Sequence, residues 1–93
     1  MSETPTQEEL PALVIKGLAL VEERLRNSLG AQIYLSIRAQ LLYVKGVVID
    51  GEPADEARSG KLLLGLYAAR EFETSDPEFA DVISSVHYLF DRR

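Results

Sequence analysis

The sequence predicts an all-α protein, an up-down bundle of four antiparallel helices. Apolar residues recur at intervals of three and four over four separate segments, which is the spacing of an amphipathic helix. The connections between these segments are short, and short connections place consecutive helices side by side in opposite directions. The chain has 93 residues, of which 46% are hydrophobic, and this is enough apolar material for one core. We therefore expect a single helical domain over residues 1–93, with residues 1–6 frayed.

The first helix carries two alternative start signals. Thr6 with Glu9 fits a capping box, whereas Pro11 favours a start a few residues later. The helix is expected to end over Asn27–Gly30, because a terminal glycine suits the left-handed conformation that closes many helices. Its inward stripe comprises Val14, Leu18, Val21 and Leu25.

The second helix is expected over Gln32–Ile49. Val47–Ile49 alone could form a strand, but the length and periodicity of the whole segment favour a helix. Leu35, Leu42 and Ile49 form a second apolar line beside the main stripe, so this helix is predicted to pack against two neighbours. The main stripe comprises Tyr34, Ile37, Leu41, Val44 and Val48.

The third helix follows a turn at Asp50–Pro53, because the sequence Asp-Gly-Glu-Pro cannot continue the second helix. It is predicted to begin between Pro53 and Gly60. It ends near Phe72 or Glu73. Its apolar residues are Leu62, Gly65, Leu66, Ala69 and Phe72.

The fourth helix is expected over Pro77–Phe90. Asp76 is suited to cap free backbone N–H groups, and Pro77 can take the first helical position without losing a needed donor. Phe79, Val82 or Ile83, Val86 and Phe90 are expected to face inward. Antiparallel order places the Asn27–Gln32 and Glu73–Asp76 connections at the same end of the bundle.

Three glycines lie inside the predicted helices, at Gly17, Gly46 and Gly65. Each costs about 1 kcal/mol relative to alanine in a helix interior. Close packing of two backbones at these positions would explain their presence.

The charge of the chain limits its partners. Ten basic and fifteen acidic residues give a net charge of −5 and a pI near 4.8. Such a surface repels phosphate backbones and anionic lipids, so neither nucleic acid nor membrane is expected, and a basic protein is the natural complement. No apolar run approaches the roughly 18 residues of a membrane-spanning helix, and no cleavable leader is evident. Both observations favour a cytoplasmic protein. The chain has no cysteine, which excludes disulfides and thiolate metal sites.

Two small motifs fall short of a catalytic site. His87 is the only histidine, and no second histidine or cysteine exists to complete a catalytic or metal site. It is expected to be a partly buried helical residue, with its charged form favoured near a helix C-terminus. Ser59–Lys61 is similar to the end of a phosphate-binding loop, but Gly51 is too distant and Leu62 replaces the metal-binding hydroxyl. No catalytic, cofactor-binding or metal-binding residue is predicted, and no cofactor.

Carboxylates cluster in two short stretches. Two explanations of these clusters stay open. The carboxylates could cap helices and form a solvated face, or they could bind a positively charged partner. Paired carboxylates could also serve glycoside hydrolysis, although four short helices offer little cleft for it. Tyr34 is expected in the core, whereas Tyr67 is offset from the apolar stripe and, if exposed, could anchor an interface. The two stretches are Glu71, Glu73, Asp76, Glu78 and Asp81, and Asp50, Glu52, Asp55 and Glu56.

Three segments, in order and at nearly constant spacing, resemble a small family of bacterial immunity proteins that neutralise NAD(P)-glycohydrolase toxins delivered by the type VI secretion system. The main segment lies where the third helix ends and the fourth begins; the others lie in the first and second helices. Together they cover most of residues 13–89. The matching residues are Leu64-Gly65, Ala68, Arg70-Glu71-Phe72 and Thr74 to Glu78; Leu18 to Val21 with Arg24-Leu25; and Ala39-Gln40-Leu41 with Tyr43 and Val44.

This resemblance implies an all-helical protein without enzymatic activity or a small-molecule substrate, which binds its cognate toxin one to one and blocks the active site. The density of carboxylates beside an aromatic residue favours a toxin-binding surface at the corner between the third and fourth helices, formed by Tyr67, Arg70, Glu71, Glu73 and Asp76. Three alternatives stay open: an antitoxin or adaptor for an unrelated protein, a small enzyme with paired carboxylates, and a homodimeric structural module.

Overall fold

The computed structural model describes residues 5–27 and 31–93, and every regular element in these ranges is helical. A short 3₁₀ turn, Gln7–Glu9, precedes the first helix. The predicted all-α class and four-helix bundle are confirmed. The helices are α1 (Leu10–Asn27), α2 (Gln32–Val48), the single turn α3 (Glu56–Ser59), α4 (Leu64–Tyr67, continuing as a π-helical segment, Ala68–Phe72) and α5 (Pro77–Asp91).

The core lies where the inward stripes of these helices meet. α1 packs against both α2 and α5, and α4 packs against α5. Phe79 is fully buried, and its ring centroid lies 5.1 Å from that of Phe72. Tyr34 stacks on Phe72 at 5.5 Å, so these three rings join α2, α4 and α5 beneath one end of the bundle. The largest fully buried side chains are Phe79, Leu10, Ile37, Leu41, Leu64, Ile83, Val14, Val21, Val44 and Val86.

Both start signals of the first helix are used. The Thr6 N–H donates to Glu9 Oε2 at 2.8 Å and begins the 3₁₀ turn, and α1 proper follows with Pro11 as its second residue. Proline is tolerated there because the first helical turn has no partners for its N–H groups. Of the residues predicted to be frayed, 1–6, the first four lie outside the described residues, and so does Gly30 with its predicted role.

The prediction of one continuous third helix is wrong, because the segment forms two helices. Asp55 caps α3, accepting from the N–H groups of Ala57 and Arg58, and the turn ends at Gly60. α4 begins only at Leu64. The intervening chain is fixed by a long-range hydrogen bond in which the Leu63 N–H donates to Gln40 Oε1 of α2 at 2.6 Å.

The second apolar line of α2 remains uncovered. Leu35, Leu42 and Ile49 are 38%, 51% and 41% exposed, so no described helix of this chain packs along that line. The prediction of a second neighbour there is therefore wrong. α4 instead meets α2 along a different side, where Gln40 and Ser36 reach Leu63 and Tyr67.

The interior glycines have different causes. A Cβ on Gly17 would lie 3.3 Å from Leu41 Cδ1 and 3.5 Å from Val82 Cγ1, so this glycine makes room for side chains of α2 and α5 and not for a second backbone as predicted. Gly46 instead leaves room for the side chain of Glu52, which folds over it. The close approach predicted for Gly65 is to the ring of a side chain, not to a backbone.

Candidate interaction site at the α4–α5 corner

The five sequence-predicted contact residues lie on α4 and on the turn that leads into α5, and they differ in how available they are. Arg70, Glu71 and Glu73 are exposed. Tyr67 is half-buried, and its hydroxyl lies 3.4 Å from Ser36 Oγ. Asp76 is half-buried.

A π-helical turn carries two of the exposed charges. π turns are rare and occur frequently at functional sites, because they reposition side chains at some cost in backbone hydrogen bonding. In this turn Ala68 and Phe72 are buried, whereas Arg70 and Glu71 face solvent. The stacking of Phe72 between the rings of α2 and α5 holds the turn from beneath. The charged side chains therefore project from a fixed backbone.

Asp76 is engaged by Arg24 of α1. Arg24 Nε donates to Asp76 Oδ2 at 2.8 Å and Arg24 Nη2 donates to Oδ1 at 3.0 Å, which makes a bidentate ion pair. Glu23 also contacts the guanidinium, and Glu78 Oε1 lies 3.6 Å from Nη2. The pair ties the end of α1 to the start of α5.

This pair corrects the predicted role of Asp76. The residue does stand at the N-cap position with Pro77 following it, but its side chain makes no capping hydrogen bond. The hydrogen bond from Arg24 instead lowers the pKa of the Asp76 carboxyl below its usual value, while partial burial acts in the opposite direction. The backbone N–H of Phe79 also lowers this pKa, by less than Arg24 does. This N–H forms no hydrogen bond with the carboxylate.

Arg24 is the residue at this corner that the sequence-based surface left out. It lies outside the inward stripe of α1, where an exposed charge is the ordinary expectation. The sequence nevertheless indicated that Arg24 could reach Asp76, because antiparallel order places the end of the first helix beside the start of the fourth. A bidentate partner for one of the clustered carboxylates could have been sought at that end.

The other carboxylate stretch is occupied in holding the fold. Asp50 pairs with Lys45 at 3.1 Å, and Asp55 caps α3. The Glu52 side chain lies over Gly46. In contrast, the side chains of Glu71 and Glu73 make no ion pair or hydrogen bond within residues 5–27 and 31–93. Glu71 and Glu73 of the α4–α5 corner are thus open to a partner, as is the exposed Glu56 of the other stretch.

His87 has a structural role. Its Nδ1 accepts the Gly65 N–H at 3.0 Å and so satisfies one of the free amides at the start of α4. Nδ1 is therefore the nitrogen of the ring that accepts in this contact. The ring borders a cavity of about 430 Å³ that Asp91 and Arg93 also line.

Metal binding and membrane insertion find no support in the described part of the chain. Over residues 5–27 and 31–93, no three side chains of histidine, aspartate or glutamate gather into a possible metal site. Within the same ranges, no helix combines the length and the apolar character needed to cross a bilayer.

Comparison with known proteins gives consistent matches over most of the chain. A family model named Tsi6 matches residues 9–92. The immune protein Tsi6 of Pseudomonas aeruginosa strain PAO1 is 34% identical over 74 residues, covering 80% of this chain and 78% of that protein. The structure of Tse6 in complex with Tsi6 contains a chain that matches with a TM-score of 0.82 and 31% identity, over 89% of this chain and 87% of that one. The structure of Tsi6 from Pseudomonas aeruginosa matches with a TM-score of 0.78 and 31% identity, over 86% and 92%.

Proposed function

Because the chain belongs to the Tsi6 family, we propose that it is an immunity protein, which binds a cognate type VI secretion toxin and protects the producing cell and its kin. The observation that carries this proposal is that a relative with the same fold was solved in complex with Tse6. The protein acts as an inhibitor and not as an enzyme. Its role is to occupy a surface of the toxin.

We further propose that the toxin is an NAD(P)+ glycohydrolase and that the complex contains one copy of each protein. Inhibition by occlusion suits the charge of this chain, since exposed carboxylates can stand where the phosphates of a dinucleotide would otherwise bind. The protein itself needs neither cofactor nor small-molecule substrate for this role. It would act in the cytoplasm, where a toxin that consumes NAD(P)+ finds its substrate.

The α4–α5 corner is the toxin-binding surface in this proposal. Arg70, Glu71 and Glu73 supply its free charges, and Tyr67 supplies the edge of an aromatic ring. Asp76, held by Arg24, contributes mainly by fixing the turn between the two helices. A surface that is ordered before binding loses little entropy on association, and slow dissociation from a lethal enzyme depends on such preorganisation.

Co-expression tests the function directly. A toxin domain with NAD(P)+ glycohydrolase activity, taken from the gene adjoining that of this protein, is expressed with and without this chain, and growth and intracellular NAD+ are measured. Restored growth with NAD+ maintained is the expected result. Rescue only from a toxin that does not consume NAD(P)+ would favour the alternative, an antitoxin or adaptor for an unrelated partner.

Charge reversal tests the surface. The double variant Glu71→Lys/Glu73→Lys should bind the toxin domain at least about tenfold more weakly, because two attractive contacts become repulsive. Glu8→Lys/Glu56→Lys is the matched control, since it changes the net charge equally at two exposed positions outside the corner. Equal affinity of the two double variants by calorimetry, with both folded, would exclude the corner as the contact surface.

A further inference from the structure

The exposed line on α2 continues into a regular seam. Leu35, Ala39, Leu42, Gly46 and Ile49 follow one another at intervals of four, three, four and three, which is the heptad spacing of helices that pair. The three large members are 38–51% exposed. Isolated apolar residues are normal on a protein surface, but these three lie in one register along one helix.

This seam is distinct from both faces of α2 that the fold already uses. Ile37, Leu41 and Val44 are buried in the core. Ser36 and Gln40 face α4, where their side chains reach Tyr67 and Leu63. The seam forms a third side of the helix. No described helix of this chain packs along it, although the Glu52 side chain covers it at Gly46.

The seam also lies on the least acidic helix of an acidic protein. The chain has fifteen aspartate and glutamate residues, but none falls within the 17 residues of α2. The two cations of the helix are paired within the fold, Arg38 with Glu22 at 3.0 Å and Lys45 with Asp50 at 3.1 Å. This side of the molecule therefore carries little uncompensated charge.

We propose that the seam binds a second copy of this chain, with the two α2 helices antiparallel about a two-fold axis near Leu42. Such an interface is self-complementary, and the small exposed residue Ala39 leaves space beside Leu35 and Leu42 for side chains of the second copy. Low charge along the seam permits contact between two copies that each carry −5.

Charge complementarity supports the antiparallel direction. Glu52 lies over Gly46 and so places a carboxylate on the seam. With Leu42 at the axis, position 46 of one copy stands opposite position 38 of the other. Glu52 of each copy then faces Arg38 of the second copy, whose side chain is 41% exposed, so that this guanidinium lies between Glu52 and its own partner Glu22. A parallel pair would place the two Glu52 side chains beside each other.

The dimer should be weak and reversible. A helix of 17 residues is about 25 Å long, and one stripe along it buries less than the roughly 1,200 Å² at which stable interfaces begin. Association is expected at concentrations of roughly tens to hundreds of micromolar.

Sedimentation of the free protein tests this inference without any toxin. The weight-average mass should rise from 10.4 kDa in dilute solution towards twice that value at high concentration. Leu42→Glu should weaken association at least about tenfold, since it places two like charges at the axis. Tyr88→Glu on α5 is the control, because Tyr88 has a similar exposure of 40% and lies off the seam.

Disulfide trapping tests the register. The chain has no native cysteine, so a single introduced thiol reports on its own neighbourhood. Leu42→Cys should form a cross-linked dimer at least about tenfold faster than Tyr88→Cys in a glutathione buffer, because only the first thiol meets its copy across the axis. Adding Leu35→Glu to the Leu42→Cys variant should remove this advantage.

Several results would overturn the inference. One is a wild-type mass that stays at 10.4 kDa at several hundred micromolar on the scale expected for weak interfaces. Another is a dimer that Leu42→Glu leaves unchanged, which would place the contact elsewhere. A monomeric wild type whose toxin affinity falls in Leu42→Glu would assign the seam to the toxin. Thermal melts of each variant establish that it is folded before its mass is interpreted.

Discussion

At the scale of single residues, the ion pair between Arg24 and Asp76 is the contact that holds the α4–α5 corner to α1. The two residues are 52 positions apart in the chain, so their pairing depends on the bundle and not on local sequence. Both side chains are mostly shielded, at 18% and 21% exposure, and such pairs are screened less than surface ones.

Asp76→Asn should lower the free energy of unfolding at pH 7 by about 1–2 kcal/mol, the range for a hydrogen-bonded charge in partial burial. Because the pKa of Asp76 is lower in the folded state, its stabilising effect is present above the unfolded pKa of about 3.9 and is lost as the pH falls through the folded pKa. Urea unfolding at pH 7 and pH 3 should therefore show a smaller difference between wild type and variant at the acidic value.

Asp50→Asn is the control for this pair, since its bond to Lys45 is half exposed and should contribute less than about 0.5 kcal/mol. If Asp76→Asn cost no more than Asp50→Asn at neutral pH, or cost as much at pH 3 as at pH 7, the structural role given to Asp76 would be wrong.

His87→Ala should destabilise the protein by about 1–2 kcal/mol, because it removes the acceptor of the Gly65 N–H. His87→Asn should recover part of this loss, since its Oδ1 can take the place of Nδ1. Hydrogen exchange at the Gly65 amide distinguishes the bond from general packing: exchange should be faster in the alanine variant and nearly normal in the asparagine variant. Equal exchange in both variants would contradict the assignment.

At the scale of the helices, the sequence predicts the bounds of an element well where one uninterrupted stripe of apolar residues runs along it. α1, α2 and α5 have continuous periodicity and fall close to their expected bounds. The third helix does not, because its start depends on Gln40, a residue 23 positions away that binds the Leu63 N–H. The π turn of α4 is likewise invisible to a pattern of apolar residues, since Ala68 and Phe72 are four apart, as in an α-helix.

The interior glycines of α1 and α2 should respond to substitution with opposite signs. Gly17→Val should destabilise by about 1–3 kcal/mol, because its new atoms meet Leu41, which is fully buried and has no room to move. Gly46→Ala displaces only the exposed end of Glu52, so the gain in helix propensity of up to about 1 kcal/mol should dominate. Chemical denaturation of both variants measures the two changes, and a shared sign would show that the packing at one of the two sites differs from that described.

At the scale of the whole molecule, the fold class follows from composition and spacing, whereas the interaction site does not. The sequence places nine carboxylates in two stretches without telling them apart. The structure separates individual carboxylates: Asp50, Asp55 and Asp76 are bonded within the fold, whereas the side chains of Glu71 and Glu73 have no bonded partner among residues 5–27 and 31–93. Which exposed residues a toxin contacts is determined by the shape of the toxin, and that information is not contained in this chain.

The packing of Phe72 beneath the π turn has a consequence for how such a protein can diversify. The ring is buried between Tyr34 and Phe79, and it supports the backbone from which the neighbouring charges project. Replacement of Arg70, Glu71 or Glu73 therefore leaves the anchoring ring untouched and carries little penalty in folding. Homologues that descend from one ancestral gene can therefore acquire new targets by substituting a few exposed residues while the buried aromatic cluster stays unchanged.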